Sequence, residues 1–195
     1  MLERKDEFVQ ILESRLKPAR FQHSLNVADS ALALAKRYGA DEEKAYICGL
    51  LHDICKNAPD EEQHKYMLKL GHALPEVVLQ NVKLWHAPAG AAYIRDELGI
   101  LDEDMISAIK YHTTAKANMT LLEKIIYIAD YISAERSYDG VEEMRDKAFR
   151  DIDEAIQEGT RFTIQELLAK NRVINQDTID AYNETSKKLA DILEA

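Results

Sequence analysis

The chain is predicted to be all-α: a single helical bundle of 195 residues with additional helices at its C-terminal end. Three observations carry this. Apolar residues recur at spacings of three and four rather than two, which is the helical period. Helix-breaking punctuation is sparse, with seven Gly and four Pro in the whole chain. No pair of alternating segments reads as a strand hairpin.

The elements follow in order. Residues 2–16 form an amphipathic helix through Phe8, Ile11 and Leu12. Pro18 opens the next as a first-turn proline, and Gly39 ends it after Tyr38. Asp41 caps a helix running through Asp53 or a little beyond, and Asp60 caps another that stops at Gly71. Pro75 opens a short turn of helix to about Val82, and Pro88 opens residues 88–98 before Gly99. Asp102 caps a helix to about His112, and Thr120 caps 121–134. The remainder reads as helices over 141–158, 162–170 and 176–194, richly charged, without histidine, and suited to a structural appendix or a partner surface.

Several titratable residues fall on faces that should be buried. His23 continues the stripe of Val27, Ala31 and Leu34, and His112 that of Met105 and Ile109. His52 and Asp53 stand side by side at the end of a helix, with the small Gly49 one turn before the carboxylate leaving room beside it. His86 lies at a helix start. Asp130 sits four after Ile126 in the most apolar helix, where a carboxylate is costly unless paired. Singly, each has an ordinary reading: a hydrogen-bonded core histidine, or a salt bridge for Asp130. Jointly, four imidazoles and two carboxylates on five segments call for a cation. Nitrogen and oxygen donors of this kind suit Fe, Mn, Zn, Co or Ni rather than Ca or Mg alone. Six ligands exceed what a mononuclear catalytic zinc takes from protein, so Asp53 is the candidate bridge between two ions. His64, in a polar stretch, and His72, after Gly71, are expected at the surface.

Arg20, Lys56 and Arg136 each lie close in sequence to one of these residues and could receive an anion; taken singly, each reads better as a solvated surface cation. Thr113 and Thr114 could bond phosphate or cap a helix. The net charge of −10 argues against a nucleic-acid or membrane-surface partner, but not against a small anion at a locally positive site. Six residues separate Cys48 from Cys55, too many for a Cys-x-x-Cys pair, so both read as small buried hydrophobes in a reducing compartment. No apolar run of membrane-spanning length and no signal-peptide core appear, so the expected location is cytoplasmic.

The order His…His-Asp…His…His…Asp resembles the HD-domain superfamily of metal-dependent phosphohydrolases from about Arg20 to Arg136. Within it, the stretches Arg20-Phe21-Gln22-His23-Ser24-Leu25, Leu50-Leu51-His52-Asp53-Ile54-Cys55-Lys56, Leu84-Trp85-His86-Ala87-Pro88-Ala89-Gly90-Ala91, Ile109-Lys110-Tyr111-His112-Thr113-Thr114 and Tyr127-Ile128-Ala129-Asp130-Tyr131-Ile132 are similar to the bacterial YqeK-type branch of symmetrical diadenosine tetraphosphate hydrolases. The similarity continues through Gly140-Val141-Glu142-Glu143-Met144-Arg145 and departs at Ala134, where a proline is expected.

The resemblance implies one HD-type domain over 1–195, with a metal-binding core at about 18–136 and a helical extension at about 141–195. It implies one ion on His23, His52, Asp53 and Asp130 and a second on Asp53, His86 and His112. The metal is expected to be iron, with Mn, Co, Ni or Zn as substitutes. A hydroxide shared by the ions would cleave diadenosine tetraphosphate into two ADP. Asp53, His52 and Lys56 serve as catalytic groups, and Arg20, Lys56, Thr113 and Arg136 bind the nucleotide. Alternatives are another HD-type nucleotide phosphohydrolase or phosphodiesterase, or a nucleotide-sensing module. A homodimer is left open.

Overall fold

The computed structural model describes residues 2–70 and 74–194; the expected stop at Gly71 and the placement of His72 lie outside them. Among the described residues there are eleven α-helices and no strand: α1 (Lys5–Arg15), α2 (Pro18–Tyr38), α3 (Glu42–Leu51), α4 (Asp60–Leu68), α5 (Glu76–Leu79), α6 (His86–Asp96), α7 (Glu103–Tyr111), α8 (Leu121–Ile132), α9 (Val141–Arg150), α10 (Ile152–Ala169) and α11 (Gln176–Glu194). Short 3-10 turns at Leu2–Arg4 and Val82–Leu84 precede α1 and α6. None of these helices is long and apolar enough to cross a membrane.

α8 is the axis of the bundle. Its sequence is apolar nearly all round, which suits a helix enclosed by others. Ile125, Ile126, Ile128 and Ala129 are fully buried, and α2, α3, α7, α9 and α10 all pack against it. Each buried isoleucine contributes roughly 1.5–3 kcal/mol relative to exposure. α2 and α3 form another close pair, and Gly49 permits it. A Cβ there would lie 2.8 Å from Ala28 Cα and 2.9 Å from Val27 O. Gly49 therefore serves the helix–helix approach, and not room beside Asp53 as its position in the chain suggests.

Three capping assignments hold. Asp41 accepts from Lys44 N–H, Asp102 from Asp104 and Met105 N–H, and Thr120 forms a reciprocal capping box with Glu123. Others shift. Asp60 is the first residue of α4 and Pro59 occupies the cap position. α6 starts two residues before Pro88, at His86, and α8 ends at Ile132, two residues before Ala134. The helices expected over 141–158 and 162–170 divide instead at Asp151. Its extended backbone and its side chain, which accepts from Asp153 and Glu154 N–H, start a new helix there. α10 then runs on through Gly159, which lies beneath the Tyr127 and Tyr131 rings of α8, where a Cβ would come within 3.3 Å of Tyr127.

The C-terminal helices are tied into the bundle. Lys124 of α8 and Lys188 of α11 both donate to Asp153 of α10. Thr178 Oγ1 of α11 donates to Thr114 O at 2.8 Å, just past α7. Cys48 and Cys55 are free and buried, and burial pushes the Cys55 thiol up to about 12, so both act as inert core residues.

Candidate metal centre

Two helix ends are built alike. His52 and His112 are the C-cap residues of α3 and α7. In each, the ring turns back so that Nδ1–H donates to a carbonyl three residues earlier, Gly49 O and Ile109 O, both at 2.7 Å. This satisfies one of the last carbonyls of the helix. It also leaves Nε2 with its lone pair facing inward. His23, midway along α2, obtains the same tautomer from Glu135, whose Oε1 accepts from Nδ1 while Oε2 accepts from Asn26 and Oε1 also receives Ser133 Oγ. Those contacts hold the Glu135 carboxyl at about 2 although burial pushes it upward.

Asp53, in the turn after His52, lies among these rings at 2% exposure. Its two oxygens face different partners. Oδ2 is 3.5 Å from His52 Nε2 and 3.9 Å from His23 Nε2. Oδ1 is 3.3 Å from His86 Nε2 and 3.5 Å from His112 Nε2. Asp130 Oδ1 reaches His23 Nε2 at 3.1 Å from the other side. The candidate ligand atoms of His23, His52 and Asp130 all lie within 4.8 Å of one another, and so do those of His52, Asp53 and His112.

His23 Nε2, His52 Nε2 and Asp53 Oδ1 are buried without a hydrogen-bond partner among the described residues. Three orphaned lone-pair atoms within one buried cluster are costly. They are the arrangement that a cation requires, so the residues present fit a metal. Burial raises the Asp53 carboxyl, but the surrounding rings of His52, His112 and His86 hold it well below the usual range. Asp130 is held low against burial by His23, His52 and Arg136. Burial keeps His86 neutral down to low pH, with Asp53 opposing and Lys56 reinforcing the effect. Anionic carboxylates and neutral imidazoles are the forms that ligate.

All six residues expected to bind metal are thus brought together from five segments, and so are the three expected cations. Arg20 NH1 lies 2.8 Å from Asp53 Oδ2, Lys56 Nζ 3.0 Å from His86 Nε2, and Arg136 pairs with Asp130 while its Nε donates to Asp130 O at 2.8 Å. None of them is a free surface cation, and the salt-bridge reading of Asp130 is realised alongside its place in the cluster. The loop carrying Glu135 and Arg136 has Ala134 in place of the expected proline. Arg145 of α9 fixes it, donating to Ile132 O, Ser133 O and Arg136 O. Thr113 and Thr114 both line a cavity beside α6 and α7, and Thr114 turns its hydroxyl to Ala115 O. His64 is exposed beside Trp85 and takes no part. Glu135 was not foreseen. Its only signal in the chain is that it precedes Arg136, and its partner His23 is 112 residues away.

The HD domain matches residues 20–135, so the chain belongs to the HD-domain family. That family, together with this donor set, implies a divalent metal cofactor. Two curated relatives are each called bis(5'-nucleosyl)-tetraphosphatase, symmetrical. The one from Halalkalibacterium halodurans is 40% identical, over 90% of this chain and 94% of its own. The one from Bacillus subtilis is 38% identical, over 92% and 96%. A solved structure from Clostridium acetobutylicum, described as a predicted HD superfamily hydrolase involved in NAD metabolism, superposes with a TM-score of 0.90 at 38% identity, covering 94% of this chain and 97% of that one.

Proposed function

We propose that this chain is a symmetrical bis(5'-nucleosyl)-tetraphosphatase that hydrolyses diadenosine tetraphosphate to two ADP at a dinuclear metal centre. The observation that carries the reading is the division of Asp53. One oxygen faces His23 and His52, with Asp130 beyond His23, and the other faces His86 and His112. His23, His52, Asp53 and Asp130 would hold one ion and Asp53, His86 and His112 the other, iron in the first place, with Mn, Co, Ni or Zn as substitutes. When bound, a pair of such ions supplies a water nucleophile at neutral pH and neutralises charge on the phosphoryl oxygens.

The chain's own groups do the rest. Nδ1 bonds to Gly49, Ile109 and Glu135 keep His52, His112 and His23 in the ligating tautomer and fix their rings. Arg20, Lys56 and Arg136 converge on the cluster, where they balance Asp53, Asp130 and Glu135 before any ion is added. Were metal to engage those carboxylates, the same three cations would be free to face the polyphosphate, within a chain of net charge −10. Phosphoryl transfer depends mostly on positioning and charge neutralisation, so these residues, with Thr113 at the flank, form the substrate cradle. Residues 18–136 are read as the metal-binding core and 141–195 as an extension of the same unit. The partner is a small nucleotide, and the place of action cytoplasmic.

Product analysis on diadenosine tetraphosphate with metal-loaded protein tests this. ADP as sole product is the expected result. AMP plus ATP, or no turnover by fully loaded protein, overturns it.

A further inference from the structure

A cavity of about 260 Å³ lies between the start of α6, the end of α7 and the start of α11. It shares two segments with the cluster: Pro88 on its wall is two residues from His86, and Thr113 adjoins His112. Both those imidazoles face Asp53 Oδ1. A molecule filling the cavity therefore lies along one flank of the centre. The volume is just below the range of about 300–1,000 Å³ that takes whole drug-sized ligands, so it suits one end of a dinucleotide rather than all of it.

The lining is apolar at Val78, Pro88 and Tyr111, and polar at Lys110, Thr113 and Thr114 beside the end of α7 and at its α11 side. Asn175 there is 4% exposed. Its Oδ1 accepts from Asp177 N–H at 3.0 Å, which fixes the orientation of the amide. Nδ2 then has no partner among the described residues. An unsatisfied buried donor costs about 1–3 kcal/mol, so this N–H is set for an acceptor that enters the cavity. The Asp177 carboxylate stands at the same turn and lines the same space. A donor and an acceptor side by side above an apolar slot with an aromatic ring complement a nucleobase edge. Adenine presents a ring-nitrogen acceptor next to its N6 amine, the pattern that Asn side chains read elsewhere, and base faces stack on aromatic rings.

From this we infer that the cavity is the base subsite for one adenosine half of the substrate. Asn175 Nδ2 donates to a ring nitrogen and Asp177 accepts from the exocyclic amine. The inference rests on the nucleotide-hydrolase reading above, and it gives α11 a role in recognition.

The test is Asn175→Asp in the full metal-loaded chain. Aspartate keeps the shape and the capping acceptor but replaces the donor with an acceptor. ADP and inorganic pyrophosphate, which has no base, are titrated by calorimetry. ADP affinity should fall about tenfold, equivalent to about 1.4 kcal/mol, with pyrophosphate unchanged. Asn175→Ser, which also keeps a capping oxygen and lacks the amide, should give the same split and serves if the aspartate variant does not fold. Unchanged ADP binding, an equal loss for both ligands, or wild-type protein that binds ADP no more tightly than pyrophosphate each overturns the subsite. Failure of the wild type to cleave diadenosine tetraphosphate would overturn the hydrolase reading alone, since the comparison of ADP with pyrophosphate still reads the cavity.

Discussion

Gly49 shows what a single residue does for the centre. It has no catalytic atom, yet its missing side chain lets α3, which leads into His52 and Asp53, rest directly on α2, which carries His23. Gly49→Ala would drive a Cβ into backbone atoms of Ala28 and Val27, which cannot rotate away as a side chain could. The expected cost is about 1–3 kcal/mol, a fall in Tm of roughly 2–12 °C for a chain of this size, together with weaker metal binding as His23 moves from Asp53. Thermal unfolding and metal titration check it; unchanged values on both would mean that the helices are free to separate. Residues that announce themselves by position on a stripe were legible in the chain. His23 and His112 are such residues, because a helical period places a side chain inside whatever it later meets. Glu135 and Asn175 were not legible, because each acts through a partner that only the folded chain brings near: His23 for Glu135, and the cavity wall for Asn175.

Among the elements, caps were legible where one side chain satisfies its own helix, as at Asp41, Asp102 and Thr120. The division at Asp151 and the continuation through Gly159 were not, because the second depends on two tyrosines of α8 pressing on α10. The last helices were expected to be a structural appendix or a partner surface. Asp153 is 8% exposed, with Lys124 Nζ at 2.6 Å and Lys188 as a second donor. Burial raises its carboxyl, and the two lysines bring it to a net value below the ordinary one. A carboxylate with a lowered folded value adds stability above its unfolded value near pH 4, and that contribution is lost as pH falls through the folded value. Asp153→Asn should therefore cost about 2 kcal/mol at pH 7, with the gap from wild type narrowing as the pH is taken from 5 to 3. Denaturant melts across that range check it, and a constant gap would contradict the assignment.

At the scale of the whole molecule, α8 carries Asp130 at the centre of the bundle, four other segments bring the remaining candidate ligands to it, and a metal would give a reason for six titratable groups to cluster. The all-α class and the clustering of these six residues were legible, because periodicity and the ordered His and Asp set carry both. How the ligands divide between the two oxygens of Asp53 depends on geometry alone. That division is the centre of the account, and Asp53→Asn tests it most directly, by metal content per chain measured alongside helicity from circular dichroism. Wild type should hold two ions per chain, and the variant, still helical, should lose occupancy at both positions. A folded Asp53→Asn protein that retains two tightly bound ions, or a fully active wild type holding only one, would contradict it.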